Sequence, residues 1–358
     1  MKNKKVLSII LIVAILLTTG CGSSNYIKDK KGKIVINKET GQSLQKEIFC
    51  RPSKNTETYK LYKKYEKQMK YKLEKLPECK KFKTNSNKTT SLWQFLFVKP
   101  LAYLILKLGY VFKSWGATKA YLGISLMIIG LIIRLIILPF NIKTQKQSRR
   151  MQEAAPELQK IEKKYAGKND QESMLLKSQE TMNVYKKSKV SPMLSCLLAL
   201  IQLPVFFAFL QAIYKIPTIY EGEIFGWNLG TSPSVGIFQN HQYSFIILIV
   251  LIILTTYFSF KYSMKKSSSN STMPGAESQM NIMLIVMTVF IGFASFSLPT
   301  AIALYWIVTY AFIVIQTFIM NLIEKKKQGK KKNTKEKSIK DKIKMKEGMK
   351  YGKTNKKR

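Results

Sequence analysis

What most constrains this chain is how its apolar residues are gathered: long blocks alternate with lysine-rich stretches, a pattern suited to lipid as solvent. The mean hydropathy of -0.06 averages these two populations and describes neither. Blocks at Lys119–Phe140, Pro192–Tyr214, Tyr243–Tyr262, Met280–Phe296 and Pro299–Ile323 each come close to the roughly 20 residues that carry a helix across about 30 Å of hydrocarbon. In hydrocarbon every backbone N–H and C=O must find its partner within the protein, which a helix provides locally. The expected fold class is therefore an all-α integral membrane protein with five transmembrane helices. The Met280 block is marginally short, and Pro299 follows it so closely that it and the last block must form a tight hairpin.

Lys2, Lys4 and Lys5 precede an apolar run, Val6–Leu17, and then Thr18, Thr19, Gly20 and Cys21, so residues 1–20 read as a signal peptide. The small residues before Cys21 resemble a bacterial lipobox, in which that cysteine is lipidated after cleavage; the alternative is an uncleaved anchor. Residues 21–90 then form a lipid-anchored extracytoplasmic segment, polar and basic, with a helix around Tyr59–Leu76. It holds too few residues to bury much core alone. Cys50 and Cys79 both lie in it, either paired as a disulfide or as two free thiols. Residues 91–115 are apolar but interrupted by Lys99, Pro100, Lys107 and Lys113. At roughly 100° per residue the three lysines share about a third of the helix circumference, the pattern of an interfacial amphipathic helix. A sixth span is the alternative.

The formal net charge of +40 calls for anionic partners, phospholipid headgroups or nucleic acid. Short loops fix the orientation, because Lys and Arg near span ends are held in the cytoplasm. The linker 141–191 carries Lys143, Lys146, Arg149 and Arg150, the linker 262–279 carries Lys265 and Lys266, and the tail 324–358 is a lysine block. All three are placed inside. Segments 215–242 and 297–299 carry only Lys215 against Glu221 and Glu223 and are placed outside. The N-terminus is then outside and the C-terminus cytoplasmic, as the signal peptide requires, although the basic charge of residues 22–90 runs against the rule. The tail is too charged to pack and is expected to be disordered.

Arg134 is the residue that calls for explanation, since burying a guanidinium in hydrocarbon costs at least about 2.5 to 3.5 kcal/mol. Either it faces a water-filled cavity inside the protein, or it snorkels toward the cytoplasmic interface. The following linker carries two apolar stripes, Met151, Leu158, Ile161 and Tyr165, then Met174, Leu175, Met182 and Tyr185, with a turn at 166–170 between them. That pattern describes a cytoplasmic helical hairpin. No catalytic residues stand out: the blocks hold no paired Asp, no His cluster, and no base near Cys196, while His241 lies outside. The four cysteines show no C-x-x-C spacing, so neither a metal nor another cofactor is expected. An anion transporter or channel built on Arg134 is the rival reading, but the blocks show no internal repeat.

The order and spacing of GLIIRLIILPF, MQEAAPELQKIEKKY, VSPMLSCLLALIQLPVFFAFLQAI and LPTAIALYWIVTYAFIVIQ resemble the YidC/Oxa/Alb insertase family over about residues 91–323. The likeness is to the Gram-positive form, with a lipoprotein-type signal and five spans. The resemblance implies that residues 116–323 are an insertase core around a hydrophilic groove, with the family arginine at Arg134 and with Gln202, Trp306 and Gln316 lining or bracing it. It implies a membrane protein insertase or chaperone in the bacterial plasma membrane, acting on nascent membrane proteins alone or with the Sec translocon. The hairpin would recruit substrate, and the tail would dock on the ribosome or on anionic lipids. Two positions depart from the family pattern: Ser191 replaces an asparagine before Pro192, and Tyr310 stands where LYWxxxN has its asparagine.

Overall fold

The computed structural model describes residues 25–86, 91–168, 170–190, 193–268, 276–323 and 326. The expected signal peptide, Cys21, Ser191 and nearly all of the basic tail lie outside these residues. The chain divides into two compact units, Met1–Ala311 and Phe312–Arg358.

Most of the described chain is helical. In chain order the helices are α1 Glu57–Lys64, α2 Lys99–Ser114, α3 Tyr121–Lys164, α4 Gln171–Lys187, α5 Met193–Lys215, α6 Pro233–Phe238, α7 Ser244–Ser268 and α8 Ala276–Ser297, followed by α9 Thr300–Ile323. By length and composition, Gln94–Ser114, Tyr121–Gln147, Ser244–Tyr262 and Thr300–Ile323 are able to cross a membrane, and Leu284–Ser297 is a shorter apolar helix. The apolar block expected at 192–214 appears as α5. The break between α8 and α9 falls at Leu298 and Pro299, where the ring removes a backbone donor.

Three sequence expectations change here. The first span and the first arm of the hairpin are one helix, because nothing between Phe140 and Arg150 stops α3, and Pro139 and Pro156 lie inside it. The turn falls where expected, with Gly167 at φ +79 and Asp170 capping α4 by accepting from the Ser173 N–H at 2.8 Å. Ala154, Ile161, Tyr165 and Val184 close the hairpin, whereas Met174, Leu175 and Met182 of the expected second stripe are exposed. Nor do the three lysines of 91–115 share a solvated face: Lys107 and Lys113 are exposed, whereas Lys99 is buried. Lys99 sits within electrostatic reach of Glu47, which favours its charge, and of Lys70 and Lys215, which oppose it. Along the same helix Ser125 of α3 donates to the Ile105 carbonyl at 2.7 Å. A Cβ on Gly109 would stand 2.8 Å from Leu122, so its absence allows α2 and α3 this close approach.

Residues 25–86 bury more than the sequence suggested. Ile27, Val35, Leu44, Ile48, Tyr62, Leu73 and Leu76 form a core of their own, assembled from turns and short bridges rather than from a periodic element. Only Glu57–Lys64 of the expected helix is α-helical; two 3₁₀ turns follow. Cys50 and Cys79 are bonded. This cap is docked on the ends of the long helices. Phe49 N–H donates to the Lys215 carbonyl at 2.8 Å and Ser232 N–H to the Thr40 carbonyl at 2.9 Å, while the Thr218 hydroxyl donates to Cys79 Sγ at 2.6 Å. Glu47 pairs with Lys215, with Lys70 at 2.7 Å, and accepts from Gln94 at 2.9 Å. Burial works to raise the Glu47 pKa, but Lys215, Lys70 and Gln94 prevail and hold it down at about 2. Beside the cap, strands β1 Glu223–Ile224 and β2 Trp227–Asn228 pair antiparallel around Phe225 and Gly226, whose φ of +56 and +81 suit a two-residue hairpin turn.

Candidate functional site

Within α3 the helical period turns Ile132, Leu135 and Ile136 outward, at 43%, 54% and 71% exposure, and turns Arg134 inward at 7%. Arg134 Nη1 donates to Gln202 Oε1 on α5 at 3.0 Å. Gln202 Nε2 in turn donates to the Tyr305 hydroxyl on α9 at 3.5 Å. One amide thus joins a cation on α3 to a phenol on α9. Tyr305 and Tyr310 both lie within electrostatic reach of the guanidinium. Arg134 Nε is buried without a partner, and among the described residues no carboxylate pairs with this side chain. A guanidinium offers five N–H donors, so the protein uses only a part of its capacity.

Aromatic packing fixes the surroundings of the cluster. Phe206 stacks on Trp306 with centroids 5.7 Å apart and planes at 17°, and Phe209 stacks on Tyr305 at 4.2 Å and 27°. Residues 202, 206 and 209 follow the i, i+4, i+7 spacing of one helix face, so the stretch of α5 that presents the amide also anchors α9. Phe260 of α7 meets Tyr310 with centroids 6.2 Å apart. Gly130, one turn before Arg134, leaves room for the Tyr305 ring, which a Cβ would approach to 3.2 Å.

The structure therefore brings Arg134 and Gln202 into direct contact and sets Trp306 beside them as a packing residue. Gln316 belongs to the unit Phe312–Arg358. Tyr305 was missed from sequence, although it stands next to Trp306 and can be placed from the Gln202 face of α5. Tyr310, which departs from the family asparagine, is the second phenol facing the guanidinium.

Residues 114–349 match the family described as 60Kd inner membrane protein. The chain belongs to this family. The matched region of the 60Kd inner membrane protein family holds Arg134, Gln202, Tyr305 and Trp306 together with the whole hairpin. Among curated relatives, the membrane protein insertase YidC of Oceanobacillus iheyensis is 36% identical over 230 residues, covering 64% of this chain and 84% of that protein. Membrane protein insertase YidC 1 of Listeria monocytogenes is 30% identical over 276 residues, 76% of this chain and 88% of that protein. Membrane protein insertase MisCA of Bacillus subtilis is 32% identical over 235 residues, 66% and 81% of the two chains. A solved active YidC insertase aligns over 61% of this chain and 45% of its own length, at 24% identity and a TM-score of 0.40. The resemblance to the YidC/Oxa/Alb family is thereby established, and the chain is a multi-pass bacterial membrane protein of a family that is not enzymatic.

Proposed function

We propose that this chain is a membrane protein insertase that receives the hydrophilic flank of a nascent protein at the Arg134, Gln202 and Tyr305 cluster and releases its apolar segment into lipid. The observation that carries this reading is the buried guanidinium at mid-span, which has spare donors and no carboxylate partner among the described residues. Such a group is expensive to place in hydrocarbon and becomes useful where a polar client replaces water around it. The relatives at 30% to 36% identity, each named a membrane protein insertase, support the same assignment.

In this reading five helices enclose a hydrophilic groove with Arg134, Gln202, Trp306 and Gln316 along it, open to the cytoplasm and to lipid. A partly hydrated path lowers the desolvation barrier for polar residues. No covalent step and no nucleotide are involved; client hydrophobicity and the proton-motive force give direction. The exposed Lys107 and Lys113 suit residues 91–115 to the interface; the N-terminal segment is outside and anchored by a lipid on Cys21, and the C-terminus is cytoplasmic. The hairpin recruits clients, the lysine tail docks on ribosomal RNA or on anionic lipids, and the chain acts alone or with the Sec translocon.

The test is insertion of a short single-span protein into liposomes containing the purified full chain. Hydrogen bonds to a charged group contribute about 1.5 to 3 kcal/mol, so Arg134→Ala should slow insertion roughly 10- to 100-fold, with Arg134→Lys retaining part of the rate. Insertion by Arg134→Ala at the native rate would overturn the role of the cluster. Anion flux through the native protein with no insertion would replace the reading with a transporter.

A further inference from the structure

At the end of the molecule away from the hairpin, a cavity of about 450 Å³ lies between the cap and the long helices, within the range of small-ligand sites. Its lining combines Lys46, Lys70 and Lys215 with a single carboxylate, Glu47, and continues onto Leu210 of α5. Lys99 is buried close by. Three ammonium groups around one carboxylate leave the lining short of negative charge, and the shortfall matters because Lys215 has only 11% of its side chain exposed. Lys46 makes no ion pair among the described residues. Two further groups point the same way. Trp93, which lines the cavity, is 7% exposed, and its indole N–H has no hydrogen-bond partner; Gln94, also in the lining, has a buried Oε1 with none.

We propose that this cavity binds the phosphate-bearing headgroup of an anionic membrane lipid whose polar end also carries a hydroxyl, as in phosphatidylglycerol. The lysines and the Trp93 N–H are donors for the phosphate, and Gln94 Oε1 is an acceptor for the hydroxyl. Leu210 and the aromatic rings along α5 continue into the apolar stretch of that helix, which suits a ligand that is polar at one end and a hydrocarbon at the other. A soluble phosphate shares the first half of this chemistry and not the second.

The experiment titrates the purified full chain, in a neutral detergent, with dihexanoyl phosphatidylglycerol, dihexanoyl phosphatidylcholine or inorganic phosphate. Tryptophan emission and the thermal midpoint are followed. Phosphatidylglycerol should give a saturable emission change that is absent from Trp93→Phe and a rise in midpoint. Lys46→Gln should weaken its binding about tenfold, and Lys54→Gln, at an exposed lysine of the cap, should leave it unchanged. Equal binding of phosphatidylcholine would overturn the proposal, as would native binding by both Lys46→Gln and Trp93→Phe. An equal effect of inorganic phosphate would assign the site to a soluble anion and overturn the lipid.

Discussion

Replacing Glu47 by Gln measures how far charge holds the cap on the helices. The carboxylate joins Lys70 at 2.7 Å, Gln94 at 2.9 Å and Lys215, while an amide of the same size keeps the shape and loses the charge. Lys215 would then be buried without its counter-charge. Removing one member of a buried pair costs about 3 to 5 kcal/mol; since this cluster borders a cavity, the lower end applies, about 3 kcal/mol, or roughly 100-fold more frequent opening. The Phe49 amide, which bonds to the Lys215 carbonyl across the junction, is the natural reporter, and its hydrogen exchange in the intact protein at pH 7 gives the opening constant directly. The native protein adds a pH signature. A carboxylate held down at about 2 when folded, against 4.5 as its ordinary value, contributes stability that is complete above about pH 4.5 and is lost as the pH falls toward 2. Docking of the native cap should weaken over that window, and Glu47→Gln should lack that component. Opening within threefold of native in the variant at pH 7, or the same acid response in both proteins, would refute the argument.

Opening the Cys50–Cys79 bond, which closes a separation of 29 residues, should lower cap stability by about 3 to 4 kcal/mol; trypsin cleavage of residues 25–86 in a Cys50→Ser, Cys79→Ser protein would show it, and unchanged resistance would count against it. Gly236→Ala places a Cβ 2.3 Å from the Phe245 ring, which is fully buried, so overpacking of about 1 to 3 kcal/mol should lower the thermal midpoint. Asp170→Ala removes the cap of α4 and should destabilise the hairpin by about 1 kcal/mol, read as faster proteolysis between Lys164 and Gln171 with insertion of a hairpin-independent client unchanged.

The spans and Arg134 could be read in the sequence because lipid imposes a simple demand, a long apolar run, and one cation stands out against it. The hairpin is legible in part: Ile161 and Tyr165 of the first stripe are buried and Gly167 lies in the turn, but Met174, Leu175 and Met182 of the second stripe are exposed and Val184 packs in their place. The cap is not legible, because Ile27, Leu44, Tyr62 and Leu76 come together through turns that follow no period. Lys99 is buried within reach of groups from distant segments, Glu47, Lys70 and Lys215, and no local pattern carries that information. Tyr305 and Phe206 were hidden differently: each looks like ordinary span composition until α5 and α9 are placed side by side. The unbroken course of α3 is not legible because a change from apolar to basic residues looks like a change of element, whereas the helix runs on without a break from Tyr121 to Lys164.

That continuity has a mechanical meaning. At 44 residues, α3 is a rod about 66 Å long at 1.5 Å per residue, with the hairpin turn at one end and Arg134 part-way along. Pro139 stands between the two and withholds one backbone donor, so the helix bends most easily there. From Arg134 to Lys164 the helix runs 30 residues, about 45 Å at 1.5 Å per residue, so one element fixes how far the hairpin turn stands from the guanidinium.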